Sequence, residues 1–208
     1  IDLKNKEKII TFVGKLNRAK GYDIFGSSII DILNDNRDWN AIVIGDEERE
    51  KLEFNHNRLN LLGFKNHDEV IKIFKKTSIS VVCSRWEEPF GRTSLESASC
   101  GCAVIITNRG GLPETITNGV ILKNLSKKSL YDAISGLINK SKYRKEIQRL
   151  SLRNFNLTHK NASIEIDNYR NEILLSSNFN KNTLVTKIKI LHVTNFNERH
   201  NGRLFYNT

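Results

Sequence analysis

Two glutamates, Glu88 and Glu96, stand out because seven residues separate them around a Pro-Phe-Gly turn. An apolar, β-branched run at 79–83 precedes them and predicts a buried strand, and a helix is expected to begin near Thr93. A strand, a tight turn and a helix place backbone N–H groups at a helix N-terminus, where they can bind an anion. Carboxylates bind hydroxyl groups rather than phosphate, so the combination indicates a nucleotide sugar as the ligand.

The spacing of these residues resembles that of a known family. The segment E-P-F-G-x(4)-E, followed by the Gly-Gly-Leu-Pro-Glu stretch at 110–114, resembles the donor half of retaining glycosyltransferases of the GT-B fold, glycosyltransferase family four. Upstream, the segment 12–16 with Lys20 and Gly21 looks like the G-R-L-x(4)-K-G element of that family, and Lys15 replaces its usual arginine. The resemblance covers roughly residues 8 to 174.

The resemblance implies a role for each matching residue. Lys15 and Lys20 contact the donor diphosphate and stabilise the negative charge that grows on the leaving nucleotide. Glu88 lies beside the donor sugar near the anomeric carbon, as a nucleophile or as an electrostatic stabiliser. Glu96 accepts hydrogen bonds from the ribose hydroxyls. The other expected donor-binding residues are Gly14, Phe64, Phe90, Gly91, Arg92 and Thr93.

Some of these residues also have purely structural explanations. Thr93 and Glu96 match a helix capping box, which needs no ligand. Phe64 follows the third predicted strand and lies either against the nucleobase or in the core. The two lysines could be ordinary solvated side chains in a lysine-rich chain, and Glu87 with Glu88 could be a solvated acidic pair on a loop.

Short apolar strands alternate with segments of helical spacing along the chain. Strands are expected at 9–13, 41–44, 59–62, 79–83, 103–106 and 119–122, and helices at 21–33, from 66, near 93, from 127, around 143–150 and at 162–175. Asn66 and Glu69 form a capping-box pattern at the start of the second helix. This alternation predicts an α/β, Rossmann-like parallel sheet with helices on both faces, which by resemblance is the C-terminal half of a GT-B fold. Because ligands bind beyond the carboxyl ends of parallel strands, Gly14, Gly63, Glu88 and Gly110 should share one edge.

The chain divides into three predicted parts. Residues 1–175 form the nucleotide-sugar-binding domain, and the polar, Asn-rich stretch 176–186 is interpreted as a linker. Residues 187–208 contain another strand and loop, either the start of a following N-terminal-type GT-B domain or an extra edge strand or tail. The chain begins at Ile1 and contains no methionine, so we interpret it as part of a longer protein.

Composition and charge limit the classes of function. The 208 residues carry a formal charge of +10, with 27% charged and 38% hydrophobic residues, which is typical of a soluble globular protein. Nucleic acid, an anionic membrane or a phosphorylated substrate would suit this charge, and so would a general lysine bias. The lysines are spread over several predicted helix faces, so a nucleic-acid-binding protein is disfavoured. No apolar run approaches the ~20 residues of a membrane span, although the basic segment 140–149 could contact anionic lipid peripherally.

The cysteines and histidines indicate neither a disulfide framework nor a metal site. Cys83, Cys100 and Cys102 cannot all pair, and we interpret them as reduced thiols of a cytoplasmic protein. The five histidines lack metal-ligand spacing, and no Asp-x-Asp motif is present. We therefore expect a mechanism without a metal or other cofactor, in which Lys15 and Lys20 replace a divalent cation.

The sequence-based hypothesis is the donor-binding domain of a retaining hexosyltransferase. By resemblance, such an enzyme moves a hexose from a nucleoside-diphosphate sugar to a saccharide or lipid-linked acceptor in polysaccharide biosynthesis, at the inner face of the membrane. Its N-terminal, acceptor-binding domain would lie outside these residues, so we expect the 208-residue chain alone to be inactive. A GT-B epimerase and a non-catalytic nucleotide-sugar-binding module are the alternatives.

Overall fold

The computed structural model describes residues 2–176 of the chain. Contacts between residues divide the chain into a compact unit, Ile1–Asn161, and a second unit that starts at Ala162. The predicted strand and loop at 187–208 lie outside the described residues, as does the predicted linker beyond Ser176. The predicted end of the domain at 175 therefore stays a prediction.

Six parallel strands form one sheet in the order β3-β2-β1-β4-β5-β6. The strands are β1 (Glu7–Val13), β2 (Asn40–Ile44), β3 (Leu59–Leu61), β4 (Thr77–Val82), β5 (Ala103–Thr107) and β6 (Val120–Leu122). This confirms the predicted α/β, Rossmann-like parallel sheet. The strand order reverses between β1 and β4, and ligands of such sheets bind at this switch point, beyond the carboxyl ends of the strands.

The part of the chain that the structure describes contains six α-helices, three between strands and three after β6. They are α1 (Tyr22–Asp35), α2 (His67–Lys76), α3 (Arg92–Ser99), α4 (Lys127–Asn139), α5 (Ser141–Arg153) and α6 (His159–Ser176). The predicted capping box at Asn66 and Glu69 is confirmed, because each side chain accepts a hydrogen bond from the backbone N–H of the other. A 3-10 helix at Leu3–Asn5 was not predicted, since a single turn leaves no periodic pattern. None of the helices within residues 2–176 has the length and apolar character that crossing a bilayer requires.

The two faces of the sheet are covered by separate apolar layers. On one face, Phe12 of β1 packs against Tyr22 and Phe25 of α1, with ring centroids 5.4 and 5.0 Å away. On the other face, Ile106 of β5 shares a cluster with Phe74 of α2. Alternate residues of the central strands therefore enter different layers, which explains why these strands carry consecutive apolar residues.

The predicted start of β4 at residue 79 is wrong by two residues, since the strand begins at Thr77. Thr77 and Ser78 are polar, but both are buried. The Thr77 hydroxyl bonds to the hydroxyl of Thr11 at 2.7 Å, and Ser78 Oγ donates to the Glu7 carbonyl at 2.5 Å. These partners on β1 satisfy the two hydroxyls, so the strand can extend through residues that hydropathy assigns to a loop.

The three cysteines are free and buried. Burial raises the pKa of the Cys83 and Cys102 thiols to about 12. Both thiols are therefore protonated at neutral pH and take part in packing rather than in chemistry.

A buried arginine joins α4 and α5. The Arg144 guanidinium lies 5.0 Å from the ring centroid of Trp39 and donates to the carbonyls of Leu137 and Ile138 at the end of α4, at 2.5 and 3.1 Å. Burial lowers the pKa of Arg144 below its ordinary value. The side chain thus satisfies helix-terminal carbonyls that packing has removed from water.

We expect Arg144→Ala to lower the free energy of unfolding by about 2 kcal/mol, because two carbonyls lose their donor and Trp39 loses the stacked cation. Lys145→Ala is the matched control, since Lys145 is the exposed neighbour on the same helix. It should change stability by less than about 0.5 kcal/mol. Urea denaturation of both variants measures the difference, and equal losses would contradict the capping role of Arg144.

Candidate functional site

A cleft of about 370 Å³ opens at the carboxyl ends of β1 and β4, where the strand order reverses. Apolar residues of the two strands form part of its lining, namely Phe12, Val13 and Val82. Seven of the ten predicted site residues also line it: Gly14, Lys20, Glu88, Phe90, Gly91, Arg92 and Thr93. The structure thus brings together residues from the loop after β1 and from the segment between β4 and α3.

Lys20 and Glu88 form an ion pair inside this cleft, in which Lys20 Nζ donates to Glu88 Oε1. The Glu88 side chain is only 12% exposed, and Lys20 is the cationic partner of its carboxylate. Asn17 closes the turn before α1, because its Oδ1 accepts from the Lys20 backbone N–H at 3.0 Å. The family resemblance places the lysine at the diphosphate and the glutamate at the sugar, and nothing in the sequence predicts that the two side chains are in contact.

Arg85 holds the two loops of the cleft together. Its guanidinium donates to both carboxylate oxygens of Asp23, at 2.6 and 2.9 Å, and to the carbonyl of Arg18 at 2.5 Å. Its backbone N–H donates to the Ala19 carbonyl at 2.8 Å. Burial alone would raise the pKa of Asp23, but the hydrogen bonds and charge of Arg85 outweigh it and lower that pKa. The loop that carries Lys20 is therefore anchored to the segment that carries Glu88.

The N-terminus of α3 faces the cleft without a side-chain cap. Gly91 is the N-cap residue, with φ 91°, and it has no side chain that could accept a hydrogen bond. Among the described residues, no other side chain accepts from the N–H groups of the first turn. The capping-box explanation for Thr93 and Glu96 is therefore wrong, because the N-cap is Gly91, two residues before Thr93, and the helix already begins at Arg92. The first-turn N–H groups and the positive end of the helix dipole are available for an anion.

Glu96 lies one turn further along α3, outside the residues that line the cleft. Its Oε1 is 3.2 Å from Arg92 Nη2 and 3.5 Å from His67 Nδ1. His67 is not among the predicted site residues. Its position after β3 could have indicated it, because the loops after parallel strands share one edge of the sheet.

Lys15 and Phe64 also lie outside the cleft lining, and both are exposed. Lys15 directly follows Gly14 and forms no ion pair with the residues that the structure describes. Phe64 is 74% exposed, so its alternative explanation as a core residue is wrong. Across the described part of the chain, no three His, Cys, Asp or Glu side chains are grouped as metal ligands would be.

Comparison with curated proteins gives relatives that are longer than this chain. Spore coat protein SA of Bacillus subtilis is 29% identical over 164 residues, which are 71% of this chain and 44% of the relative. An uncharacterized glycosyltransferase of Methanocaldococcus jannaschii is 35% identical over 145 residues, which are 65% of this chain and 40% of the relative. The chain therefore spans less than half the length of these two relatives.

Solved structures share the fold. The C-terminal domain of the glycosyl transferase group 1 family protein LpcC from Francisella tularensis superimposes with a TM-score of 0.63 and 27% identity, over 72% of this chain and 85% of that chain. HepE of Anabaena, solved with UDP and glucose, gives a TM-score of 0.63 at 20% identity, over 83% of this chain and 49% of HepE. The architecture is that of the C-terminal, Rossmann-like half of the GT-B fold, as predicted.

The sequence profile of one family covers most of the chain. It is described as "Glycosyl transferases group 1" and matches residues 1–151. These residues contain the whole cleft, including Lys20, Glu88 and the N-terminus of α3. The chain therefore belongs to the group 1 family of glycosyl transferases.

Proposed function

We propose that this chain contains the donor-binding domain of a retaining glycosyltransferase, which moves a hexose from a nucleoside-diphosphate sugar to a saccharide or lipid-linked acceptor. The observation that carries the proposal is the Lys20–Glu88 pair beside the uncapped N-terminus of α3. A cation and free N–H groups suit a diphosphate, and a carboxylate suits sugar hydroxyls. One cleft thus offers both kinds of group to a ligand that needs both.

In this proposal the diphosphate lies across the N-terminus of α3, where Gly91, Arg92 and Thr93 supply backbone N–H groups. Lys15 and Lys20 add two positive charges. Negative charge grows on the diphosphate as the sugar leaves, so these groups stabilise the transition state more than the bound donor. We propose that the lysines, rather than a bound cation or another cofactor, balance this charge.

Glu88 gains its role when the donor binds. A phosphate oxygen competes for Lys20 Nζ, and the Glu88 carboxylate is then available to the sugar hydroxyls near the anomeric carbon. There it stabilises positive charge on the sugar ring or acts as the nucleophile of a retaining reaction. Glu96 accepts hydrogen bonds from the ribose hydroxyls, Phe64 lies against the base, and Gly14 and Phe90 shape the cleft around the donor.

The acceptor site belongs, in our proposal, to a second domain outside the 208 residues. This chain alone would then bind the donor without transferring the sugar, since the acceptor is not positioned. HepE was solved with UDP and glucose, which supports a donor of the same chemical class. Three free, buried thiols support a reducing compartment such as the cytoplasm.

Calorimetric titration of UDP, GDP and ADP into the 208-residue chain tests the donor site. We expect one of the three to bind, and its 2′-deoxy form to bind about 10-fold more weakly, because a hydrogen bond to the Glu96 carboxylate is lost. In Glu96→Ala the two forms should bind equally. Asp68→Ala, at an exposed acid on α2, is the control and should keep the preference. The absence of binding by all three nucleotides would contradict the proposed function.

A further inference from the structure

A second loop supports the segment that carries Glu88. Residues 109–115, which we call the brace, follow β5 and lie against the backbone of that segment. The Gly111 N–H donates to the Glu88 carbonyl at 2.7 Å. Gly110 has φ 51°, and a Cβ there would lie 2.2 Å from the Glu88 carbonyl oxygen and 2.7 Å from its nitrogen. The brace therefore touches the peptide groups on both sides of Glu88.

The side chain of Glu87, the residue before Glu88, also binds the brace. Its Oε2 accepts from the Gly110 N–H at 2.5 Å, and its Oε1 accepts from Arg109 Nη1 at 2.9 Å. The hydrogen bond from Arg109, and to a smaller extent that from the Gly110 N–H, lowers the pKa of Glu87. The Glu87 side chain is 63% exposed, whereas that of Glu88 is 12% exposed. The Glu87 carboxylate therefore contacts the brace, whereas the carboxylate of the adjacent Glu88 lies in the cleft.

The far end of the brace is fixed as well. The hydroxyls of Ser94 and Thr115 share a buried hydrogen bond of 2.5 Å, which joins the first turn of α3 to the brace. A Cβ on Gly91 would lie 2.6 Å from Leu112 Cδ2, so Leu112 packs directly on the N-cap of α3. Near Glu87 the brace, in contrast, is held by two exposed side-chain hydrogen bonds in addition to the backbone bond from Gly111 to Glu88. Glu87 is therefore the point at which the brace can be released without disturbing the core.

We propose that Glu87 is a positioning residue for Glu88. It holds Gly110, the brace holds the backbone of Glu88, and the Glu88 carboxylate is thereby aimed at the donor sugar. The inference rests on the proposed function, and it assigns Glu87 no contact with the donor. Lys15 and Lys20 lie on the loop after β1, and the N-terminus of α3 keeps its own contacts with Leu112 and Thr115. The loss of Glu87 should therefore impair recognition of the sugar but not of the nucleotide.

The first test needs no ligand. In Glu87→Ala, the amide resonances of Gly110 and Gly111 should shift, and their hydrogen exchange should accelerate about 10-fold, because the acceptor of Gly110 is gone. Glu87→Gln keeps a side-chain oxygen for Gly110 and should restore most of the protection. Glu146→Ala is the control, since it removes a similarly exposed Glu–Arg pair from α5. Unchanged Gly110 and Gly111 amides in Glu87→Ala would overturn the proposal.

The second test separates the nucleotide from the sugar. Calorimetry with UDP and UDP-glucose, and with GDP and GDP-mannose as the second pair, gives the affinity that each sugar adds. Glu87→Ala should weaken the binding of the nucleotide sugar about 10-fold and that of the nucleoside diphosphate less than about 2-fold. Glu87→Gln should recover most of the lost affinity for the nucleotide sugar. Equal weakening of both ligands would overturn the positioning role. Binding of neither pair to the unaltered chain would instead contradict the proposed function, and the exchange rates would still decide whether Glu87 holds the brace.

Discussion

Replacement of the two proposed phosphate-binding lysines, in Lys15→Ala with Lys20→Ala, is expected to weaken the binding of a nucleoside diphosphate by about 100-fold or more. Each lysine is proposed to make a charge-assisted contact with phosphate worth about 1.5–3 kcal/mol, and two such losses exceed a factor of 100. Calorimetry with the nucleotide that binds the unaltered chain measures the change. The loss of affinity should be larger for ligands with more phosphate groups, so the double variant should bind the corresponding nucleoside almost as well as the unaltered chain does.

The single variants should differ in their effect on stability. Lys15 is exposed and forms no ion pair in the described part of the chain, so Lys15→Ala should weaken the diphosphate without lowering the free energy of unfolding. Lys20→Ala leaves the Glu88 carboxylate without its partner in the cleft and should lower that free energy as well. A Lys15→Ala variant with unaltered affinity would remove Lys15 from the proposed site.

A double variant on α5, Lys142→Ala with Lys145→Ala, is the matched control. It also removes two positive charges, but at exposed positions on α5 that do not line the cleft. It therefore distinguishes the loss of a direct phosphate contact from a general loss of positive charge. We expect its affinity for the diphosphate to fall less than about 2-fold at physiological salt, where distant charges are screened. A fall as large as that of the Lys15→Ala, Lys20→Ala variant would contradict the assignment of these two lysines to the phosphates.

Gly21→Ala is expected to lower the free energy of unfolding by about 3 kcal/mol or more, which combines backbone strain with overpacking. Gly21 precedes α1 at φ 74°, where a side chain is strained. A Cβ there would lie 2.0 Å from the backbone oxygen of Cys83, just after β4. Neither side can yield easily, because α1 and β4 are both anchored in the core. Urea denaturation measures the loss.

Gly136→Ala provides the matched control for this glycine. Gly136 lies within α4, and a Cβ there would meet nothing within 4 Å. Alanine reduces the entropy of the unfolded chain and favours the helix, so stability should rise by about 0.5–1 kcal/mol. The two substitutions add the same methyl group, and opposite signs would show that position decides the effect. A loss of stability in both variants, or in neither, would contradict this account.

Local patterns predicted most of the secondary structure, and the resemblance to a family supplied most of the candidate site residues. Apolar runs with β-branched residues gave β1, β2 and β5 within two residues of their observed bounds. The capping box at the start of α2 was recognised because all its bonds lie within four consecutive residues. The spacing of Glu88 and Glu96 identified the segment between β4 and α3 for the same reason. Such signals are readable because the interacting residues are neighbours in the chain.

The tertiary structure decided which of these residues meet. Lys20 and Glu88 are 68 positions apart, and they pair because β1 and β4 are neighbours at the centre of the sheet. Glu87 and Gly110 meet because β5 lies next to β4, which brings the loops after both strands together. Phe64 could belong to the core or to the surface on its sequence alone, and packing left it exposed.

The sequence by itself thus determined the elements of this domain and the kinds of chemical group at the ends of its strands. Strand order, which depends on how apolar faces pack over the whole chain, determined the Lys20–Glu88 ion pair and the contacts of the brace. Periodicity and motif spacing report contacts within a few residues, whereas these contacts join segments that only the parallel sheet brings together.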